Sequence, residues 1–207
     1  MPIRQKKDQF DRASMHITWL KAKFKNVSSL NIDLTPFFEK FESTVDTSYN
    51  NSELALANSR SRMRMLTLYY YAGINNSIVV GTGNKVEDFG IGFYTKYGDG
   101  GVDISPIADL MKSEVYQLSR HLNIKDEILD ALPTDGLWDD DRSDEQQIGV
   151  SYNDLENIMS KLEKGADPEK FSGEIKNNFE IYIKHHHANE HKMVEIPVCK
   201  IPAEFKL

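Results

Sequence analysis

Apolar residues recur every three or four positions in several stretches of this chain, and this spacing predicts amphipathic helices. The first stretch covers residues 8–24 and the longest covers residues 50–72. Residues 112–122 predict a further helix, and residues 126–132 predict a brief one that Pro133 ends. Helices therefore make up much of the predicted structure.

Two short apolar runs predict strands instead. Residues 29–34 alternate in polarity, and residues 78–80 are β-branched. Strands that alternate with helices predict the α/β class, with an open parallel sheet flanked by helices. After Pro133 the pattern predicts helices at 154–163 and 169–187, followed by an extended tail from residue 194. A chain of 207 residues fits one domain.

Composition narrows the classes of function. The net charge of −7 argues against a protein that binds nucleic acid through its overall field. No apolar run approaches the roughly 20 residues of a membrane span, so no membrane partner is expected. Cys199 is the single cysteine and cannot form an internal disulfide, which fits a protein of the reducing cytoplasm.

Two glycine-rich segments predict a nucleotide site. The run 78–80 leads directly into Gly81-Thr82-Gly83, and Asn84 is placed to cap a helix with Glu87 in its first turn. A strand that enters a glycine turn and a helix N-terminus is a common cradle for phosphates. Residues 95–103 then carry three glycines and alternating charges, which is typical of a binding loop. A tight αβ turn followed by a surface loop is the alternative interpretation.

The combination GTGNxxE, GFxTKYGDGGVDISPI and a lysine that opens the next helix resembles the ammonia-type NAD⁺ synthetases. The resemblance extends from about residue 58 to residue 200. It implies a Rossmann-like domain of the adenine nucleotide alpha hydrolase type. It also implies a two-step reaction, in which ATP adenylates the nicotinate carboxylate of deamido-NAD and ammonia then displaces AMP. Neither step needs a protein nucleophile, so no catalytic residue is predicted.

The resemblance implies three groups of binding residues and a homodimer. The same resemblance implies ATP as a co-substrate and Mg²⁺ as the cofactor. By position the residues are Thr82, Lys112 and Thr134 for ATP, Arg62, Lys96, Asp103, His191 and Lys192 for deamido-NAD, and Glu87 for Mg²⁺. Arg60, Arg62 and Arg64 cannot all face one way on a helix, because alternate positions turn by about 200°.

Two clusters of like residues are assigned to solvent rather than to metal. His185, His186 and His187 are consecutive on a predicted helix and diverge around its axis. The acidic triplet at residues 139–141 predicts a solvated loop.

The chain departs from the family in one respect, since no Ser-Gly-Gly phosphate loop occurs in it. The domain is therefore expected to be N-terminally truncated, without its first strand and phosphate loop. A fragment, a misplaced start codon and a gene product that has lost catalysis are all open explanations.

The alternative function is a catalytically silent nucleotide-binding or dimerisation module. A GMP synthetase is disfavoured by the TKYGDGGVD loop and by His191-Lys192. Ammonia is the expected nitrogen donor, because Cys199 lies in the tail and no amidohydrolase cysteine is present.

Overall fold

Helices dominate the computed structural model, which describes residues 1–138 and 142–206. The predicted acidic loop at 139–141 lies outside the described residues. The α-helices in chain order are α1 (Lys7–Lys23), α2 (Thr35–Glu42), α3 (Ser52–Asn75), α4 (Lys112–His121), α5 (Asp126–Leu129), α6 (Asp144–Ile148), α7 (Tyr152–Glu163) and α8 (Gly173–Met193). A π-helix covers Val86–Ile91, and 3₁₀ turns cover Pro168–Lys170 and Ala203–Phe205.

The predicted strands do not form a sheet in the described part of the chain. Val80 and Ile104 make one isolated parallel bridge, in which the Gly81 amide donates to the Ile104 carbonyl at 2.7 Å. The Val79 carbonyl also accepts from the Asp103 amide at 2.9 Å. A strand needs a longer ladder of hydrogen bonds on a neighbouring segment, and within residues 1–138 and 142–206 the run 78–80 forms only this single bridge. The predicted strand at 29–34 is also wrong, and its last residue, Leu34, instead donates its amide to the Pro2 carbonyl at 2.9 Å.

The helix predictions are confirmed, with shifted boundaries. The predicted helix at 50–72 covers Ser52–Asn75, and the one at 154–163 begins at Tyr152. The predicted helix at 169–187 begins at Gly173 and continues to Met193, because the Pro168–Lys170 turn comes first. The predicted helix at 126–132 ends at Leu129. No helix within residues 1–138 or 142–206 is both long enough and apolar enough to span a membrane.

The larger core holds the π-helix against α7 and α8. Leu155 is completely buried there, as are Val86 and Ile91 at the two ends of the π-helix. Asn84 begins the turn as predicted, because its side-chain oxygen accepts from the amides of Val86 at 3.0 Å and Glu87 at 3.2 Å. Packing and capping together therefore determine where the Glu87 side chain lies.

A smaller core joins the N-terminal residues to α2 and α3. It contains Ile3, Leu34, Phe38 and Met63. Phe38 is completely buried, and the Arg60 guanidinium lies 4.7 Å from the centre of its ring. The prediction that the whole chain forms one domain stays a prediction.

Candidate functional site

The glycine-rich loop after residue 94 is anchored directly on α3. The Asp99 carboxylate accepts from the Ser61 hydroxyl at 2.7 Å and from the Thr95 amide at 3.0 Å. A Cβ atom at Gly98 would lie 2.3 Å from the Ser61 hydroxyl oxygen, so only glycine allows this close approach. Tyr97 has a φ of 61°, which is the left-handed region. The loop is therefore a shaped segment whose form depends on α3.

Three of the residues predicted to bind deamido-NAD lie together beside this loop. The Lys96 ammonium donates to the main-chain carbonyl of His191, near the end of α8. The Arg62 guanidinium donates to the Lys96 carbonyl at 3.3 Å. The tertiary structure thus brings α3, the loop and the end of α8 to one place. The basic side chains there are Arg62 from α3 and Lys96 from the loop.

Lys192 occupies the same region but is more enclosed. Its ammonium donates to the carbonyls of Gly92 at 2.9 Å and Tyr94 at 2.8 Å. Burial lowers the pKa of Lys192. The Tyr94 hydroxyl donates to the Lys192 carbonyl at 2.5 Å, and burial raises the pKa of Tyr94 to about 12. Lys192 therefore ties the end of α8 to the segment that follows the π-helix.

Asp103 is also predicted to bind deamido-NAD, but its contacts differ from those of Arg62, Lys96 and Lys192. Its carboxylate accepts from the Tyr69 hydroxyl at 3.1 Å and from the Val79 amide at 2.7 Å. These contacts connect the residue to α3 and to the run 78–80. Its predicted contact with deamido-NAD stays a prediction.

Glu87 and Lys112 form an ion pair. The Lys112 ammonium lies 2.8 Å from Glu87 Oε1, and the two side chains are 20% and 16% exposed. The Tyr152 hydroxyl donates to the same Glu87 oxygen at 2.7 Å and lies 3.3 Å from Asp144 Oδ2. The Lys112 ammonium also lies 4.7 Å from the centre of the Tyr152 ring. Four polar groups therefore meet where the π-helix, α4, α6 and α7 converge.

Burial and neighbouring carboxylates shift the pKa values in this cluster. Burial raises the pKa of Asp144 to about 6. Burial, followed by the charges of Glu87 and Asp144, raises the pKa of Tyr152 well above its usual range. Burial and the charge of Glu87 also raise the pKa of Asp88 to about 6. Negative charge is therefore costly here unless a cation accompanies it.

Two cavities lie beside these groups and share the lining residue Asp135. The first, of about 590 Å³, is lined by Thr82 and Lys192 among others. The second, of about 350 Å³, is lined by Lys112 and Thr134. Thr82, which is predicted to contact ATP, therefore lines the same cavity as Lys192, which is predicted to bind deamido-NAD. The other two predicted ATP contacts, Lys112 and Thr134, line the smaller cavity together.

The three arginines of α3 do not share a face, as predicted. Arg62 is exposed and points to the Lys96 loop, whereas Arg60 is 8% exposed. Arg60 donates to the Leu137 carbonyl at 2.8 Å, and Arg64 donates to the Met1 carbonyl at 3.1 Å. Arg60 and Arg64 thus make contacts that support the fold, Arg64 also lines the larger cavity, and Arg62 is the exposed one of the three.

The assignment of the three consecutive histidines to solvent is wrong for two of them. His185 contacts the Ile148 carbonyl at 3.0 Å, and His186 contacts the Gly90 carbonyl at 2.7 Å. Both rings are partly buried because α8 packs on the π-helix and on α6. His187 is exposed as expected.

The sequence interpretation missed Asp144 and Tyr152. Each is the first residue of a helix and follows a serine cap. The Ser143 hydroxyl accepts from the Gln146 amide, and the Ser151 hydroxyl accepts from the Asp154 amide, both at 3.2 Å. The two serine caps were the available signal, because they predict neighbouring helix starts. A local cap does not show which distant side chains will lie next to the helix start.

Comparison with known proteins gives concordant matches. The family model described as NAD synthase matches residues 1–195. An NH(3)-dependent NAD(+) synthetase of Methanosarcina acetivorans is 36% identical over 186 residues, covering 88% of this chain and 70% of that protein. Another, from Archaeoglobus fulgidus, is 46% identical over 122 residues, covering 58% of this chain and 49% of that protein. This chain therefore spans about half to seven tenths of these relatives.

A solved structure titled NMN synthetase, from Francisella tularensis, superposes on this chain with a TM-score of 0.79. It is 28% identical and the match covers 95% of this chain and 75% of that one. Structural neighbours such as this one have the Rossmann-like adenine nucleotide alpha hydrolase fold. The predicted fold class is thus supported by similarity, although the described residues contain only the one bridge.

Proposed function

Because this chain belongs to the NAD synthase family, we propose that it takes part in the ATP-dependent amidation of deamido-NAD by ammonia. The family resemblance predicted from the loop motifs is confirmed. The curated relatives are NH(3)-dependent NAD(+) synthetases, which are ligases that form a carbon–nitrogen bond. The activity of the 207-residue chain itself is the proposal, since the chain spans only part of those relatives.

The observation that carries the proposal is the pair of adjoining cavities with separate polar linings. Lys192 lines the larger one, and Lys112 and Thr134 line the other. Their volumes, 590 and 350 Å³, are in the range of small-molecule sites. Two polyanions held side by side are what an adenylation requires. We assign deamido-NAD to the cavity of Lys192 and the phosphates of ATP to the cavity of Lys112, with Thr82 as a further ATP contact.

The donor set around Glu87 fits Mg²⁺. Carboxylate oxygens are preferred ligands of this hard cation, which commonly uses one or two of them together with phosphates. In residues 1–138 and 142–206 no group of three or more His, Cys, Asp or Glu side chains is placed to hold a metal, which agrees with a cation that phosphates help to hold. Glu87 would hold the ion, and the bound ion would neutralise phosphate charge.

The chain's own residues act by binding and orienting. Arg62 and Lys96 would contact the acidic groups of deamido-NAD, with His191 and Asp103 as further contacts. Lys112 would meet a phosphate of ATP once another cation neutralises Glu87. No protein nucleophile is required, because the nicotinate carboxylate attacks the α-phosphorus of ATP with release of pyrophosphate, and ammonia then attacks the acyl-adenylate with release of AMP. Appearance of NAD⁺ from deamido-NAD, ATP and ammonia tests the activity. A catalytically silent module would bind deamido-NAD and form no NAD⁺.

A second candidate is amidation of the mononucleotide, and the similarity to the NMN synthetase structure favours it. Nicotinate mononucleotide offers the same carboxylate but lacks the adenylate half of deamido-NAD. If the dinucleotide is the substrate, we expect deamido-NAD to bind about tenfold or more tightly, a difference of about 1.4 kcal/mol, because its adenylate half adds contacts. Calorimetric titration of both ligands at one ionic strength measures the difference, with AMP as the control ligand. Equal affinities would favour the mononucleotide.

The predicted homodimer is also part of the proposal, and one face of α3 supports it. Leu66, Tyr70 and Ile74 recur every four residues and are 57%, 63% and 63% exposed. Such an apolar stripe is typical of an interface. Tyr70→Glu is expected to shift the chain from dimer to monomer in sedimentation velocity, because a charge would be buried at the interface. Tyr49→Glu, at another exposed tyrosine, is the control. A monomeric wild-type chain would contradict the prediction.

Location in the cytoplasm stays a prediction that the lone Cys199 supports.

A further inference from the structure

Asp144 places a carboxylate in the interior without a full set of hydrogen bonds. The residue is 7% exposed, and its Oδ1 atom is buried without a hydrogen-bond partner. Its other oxygen lies 3.3 Å from the Tyr152 hydroxyl. Buried carboxylate oxygens are costly when unpaired, so such a group calls for a ligand that completes it.

The Tyr152 hydroxyl cannot satisfy both of its acidic neighbours. It carries one proton, and Glu87 Oε1 at 2.7 Å is closer than Asp144 Oδ2 at 3.3 Å. When the proton lies toward Glu87, the hydroxyl presents a lone pair to Asp144. Asp144 then has no donor from this hydroxyl on either oxygen.

Lys112 does not supply the missing charge. Its ammonium is bound to Glu87 at 2.8 Å and lies over the Tyr152 ring. Among Glu87, Lys112, Tyr152 and Asp144, one ammonium therefore faces two carboxylates, and these four groups together carry an excess of negative charge. The Asp144 amide donates to the Pro133 carbonyl at 3.0 Å, which places the start of α6 beside the segment that lines the smaller cavity.

We propose that Asp144 and Glu87 are paired ligands of a single divalent-cation site, with the Tyr152 hydroxyl between them. The proposal rests on the assignment of Glu87 to Mg²⁺ in the proposed function and adds a residue to it. Both carboxylates contact one hydroxyl, at 2.7 and 3.3 Å, which brings their oxygens to the same place in the fold. A divalent cation would supply the charge that Lys112 cannot give to both, and Lys112 is then available to an anion in the cavity that it lines.

Mn²⁺ is the probe, and its binding to the 207-residue chain without nucleotide is measured by electron paramagnetic resonance. Wild type is expected to bind one ion. Asp144→Asn and Glu87→Gln are each expected to weaken binding by about tenfold or more. Glu145→Gln is the matched control, because this neighbouring carboxylate accepts from the Tyr152 amide at 2.8 Å and a glutamine can keep that bond. Its affinity is expected to be unchanged.

Thermal unfolding gives a second readout that separates ligation from simple structural support. Mn²⁺ is expected to raise the Tm of wild type and of Glu145→Gln but not of Asp144→Asn. Without metal, Asp144→Asn is expected to unfold at the wild-type temperature or above, because an uncompensated buried charge has been removed. If the side-chain amide of the asparagine disturbs α6, Asp144→Ala is the second variant for both measurements.

The outcomes distinguish this inference from the proposed function. If Glu87→Gln loses Mn²⁺ and Asp144→Asn binds like wild type, the Asp144 proposal is overturned while the Glu87 assignment stands. If neither change affects binding, both assignments fail. A wild-type chain that binds no Mn²⁺ also overturns the paired site.

Discussion

Lys96→Met is expected to weaken the binding of deamido-NAD by about tenfold to a hundredfold, whereas Lys112→Met is expected to leave that binding nearly unchanged. The loss follows from removing a charge-assisted contact, which typically contributes about 1.5–3 kcal/mol. The difference follows from position. Lys96 lies beside Arg62 at the end of α8, and Lys112 lies at the smaller cavity with Thr134.

Calorimetric titration of the two variants decides this prediction, with ionic strength fixed because exposed charges are screened. Methionine keeps most of the length of the side chain, which matters for Lys112 because its ammonium lies 4.7 Å from the centre of the Tyr152 ring. Lys40→Met, at an exposed position of α2, is the control for loss of one positive charge. Equal losses in the Lys96 and Lys112 variants would indicate a diffuse basic field and contradict two separate sites.

Leu155→Ala is expected to lower the free energy of unfolding by about 2–5 kcal/mol, the range for removing a large buried aliphatic side chain. Leu155 is completely buried between α7, the π-helix and α8. The resulting cavity would lie in the core that holds Val86 and Ile91. Because Glu87 follows Val86, we also expect the Glu87–Lys112 pair to be held less firmly.

Urea unfolding of the wild type and the variant measures the loss. Leu118→Ala on α4 is the control, because Leu118 is 40% exposed and its truncation is expected to cost less than about 1 kcal/mol. Similar losses for the two variants would show that the α7 core is not the main source of stability. Mn²⁺ titration of Leu155→Ala would report separately on the Glu87 turn.

Local signals in the sequence were sufficient for the helices and for the family. Asn84 caps the turn that carries Glu87, and Lys112 begins α4, because capping depends on residues only a few positions apart. The glycine-rich loop was recognisable for the same reason, since its composition disfavours regular structure and only glycine allows the contact between Gly98 and Ser61.

Other parts depended on partners far away in the chain. The run 78–80 has strand composition, yet a strand forms only where other segments complete its hydrogen bonds, and here one bridge to Ile104 results. The histidines of α8 looked solvated because helical spacing does not reveal which neighbour will cover a turn. His185 and His186 instead contact carbonyls of residues 37 and 96 positions away.

The sequence by itself thus determined the helices, the Asn84 cap, the glycine-rich loop and the membership of the NAD synthase family, all of which rest on short-range patterns. The tertiary structure decided which charges meet. Asp144, Tyr152, Glu87 and Lys112 come from four elements, and no local pattern relates them. Their convergence follows from the packing of α7 and α8 on the π-helix. Because the groups are buried there, their charges interact more strongly than they would in water.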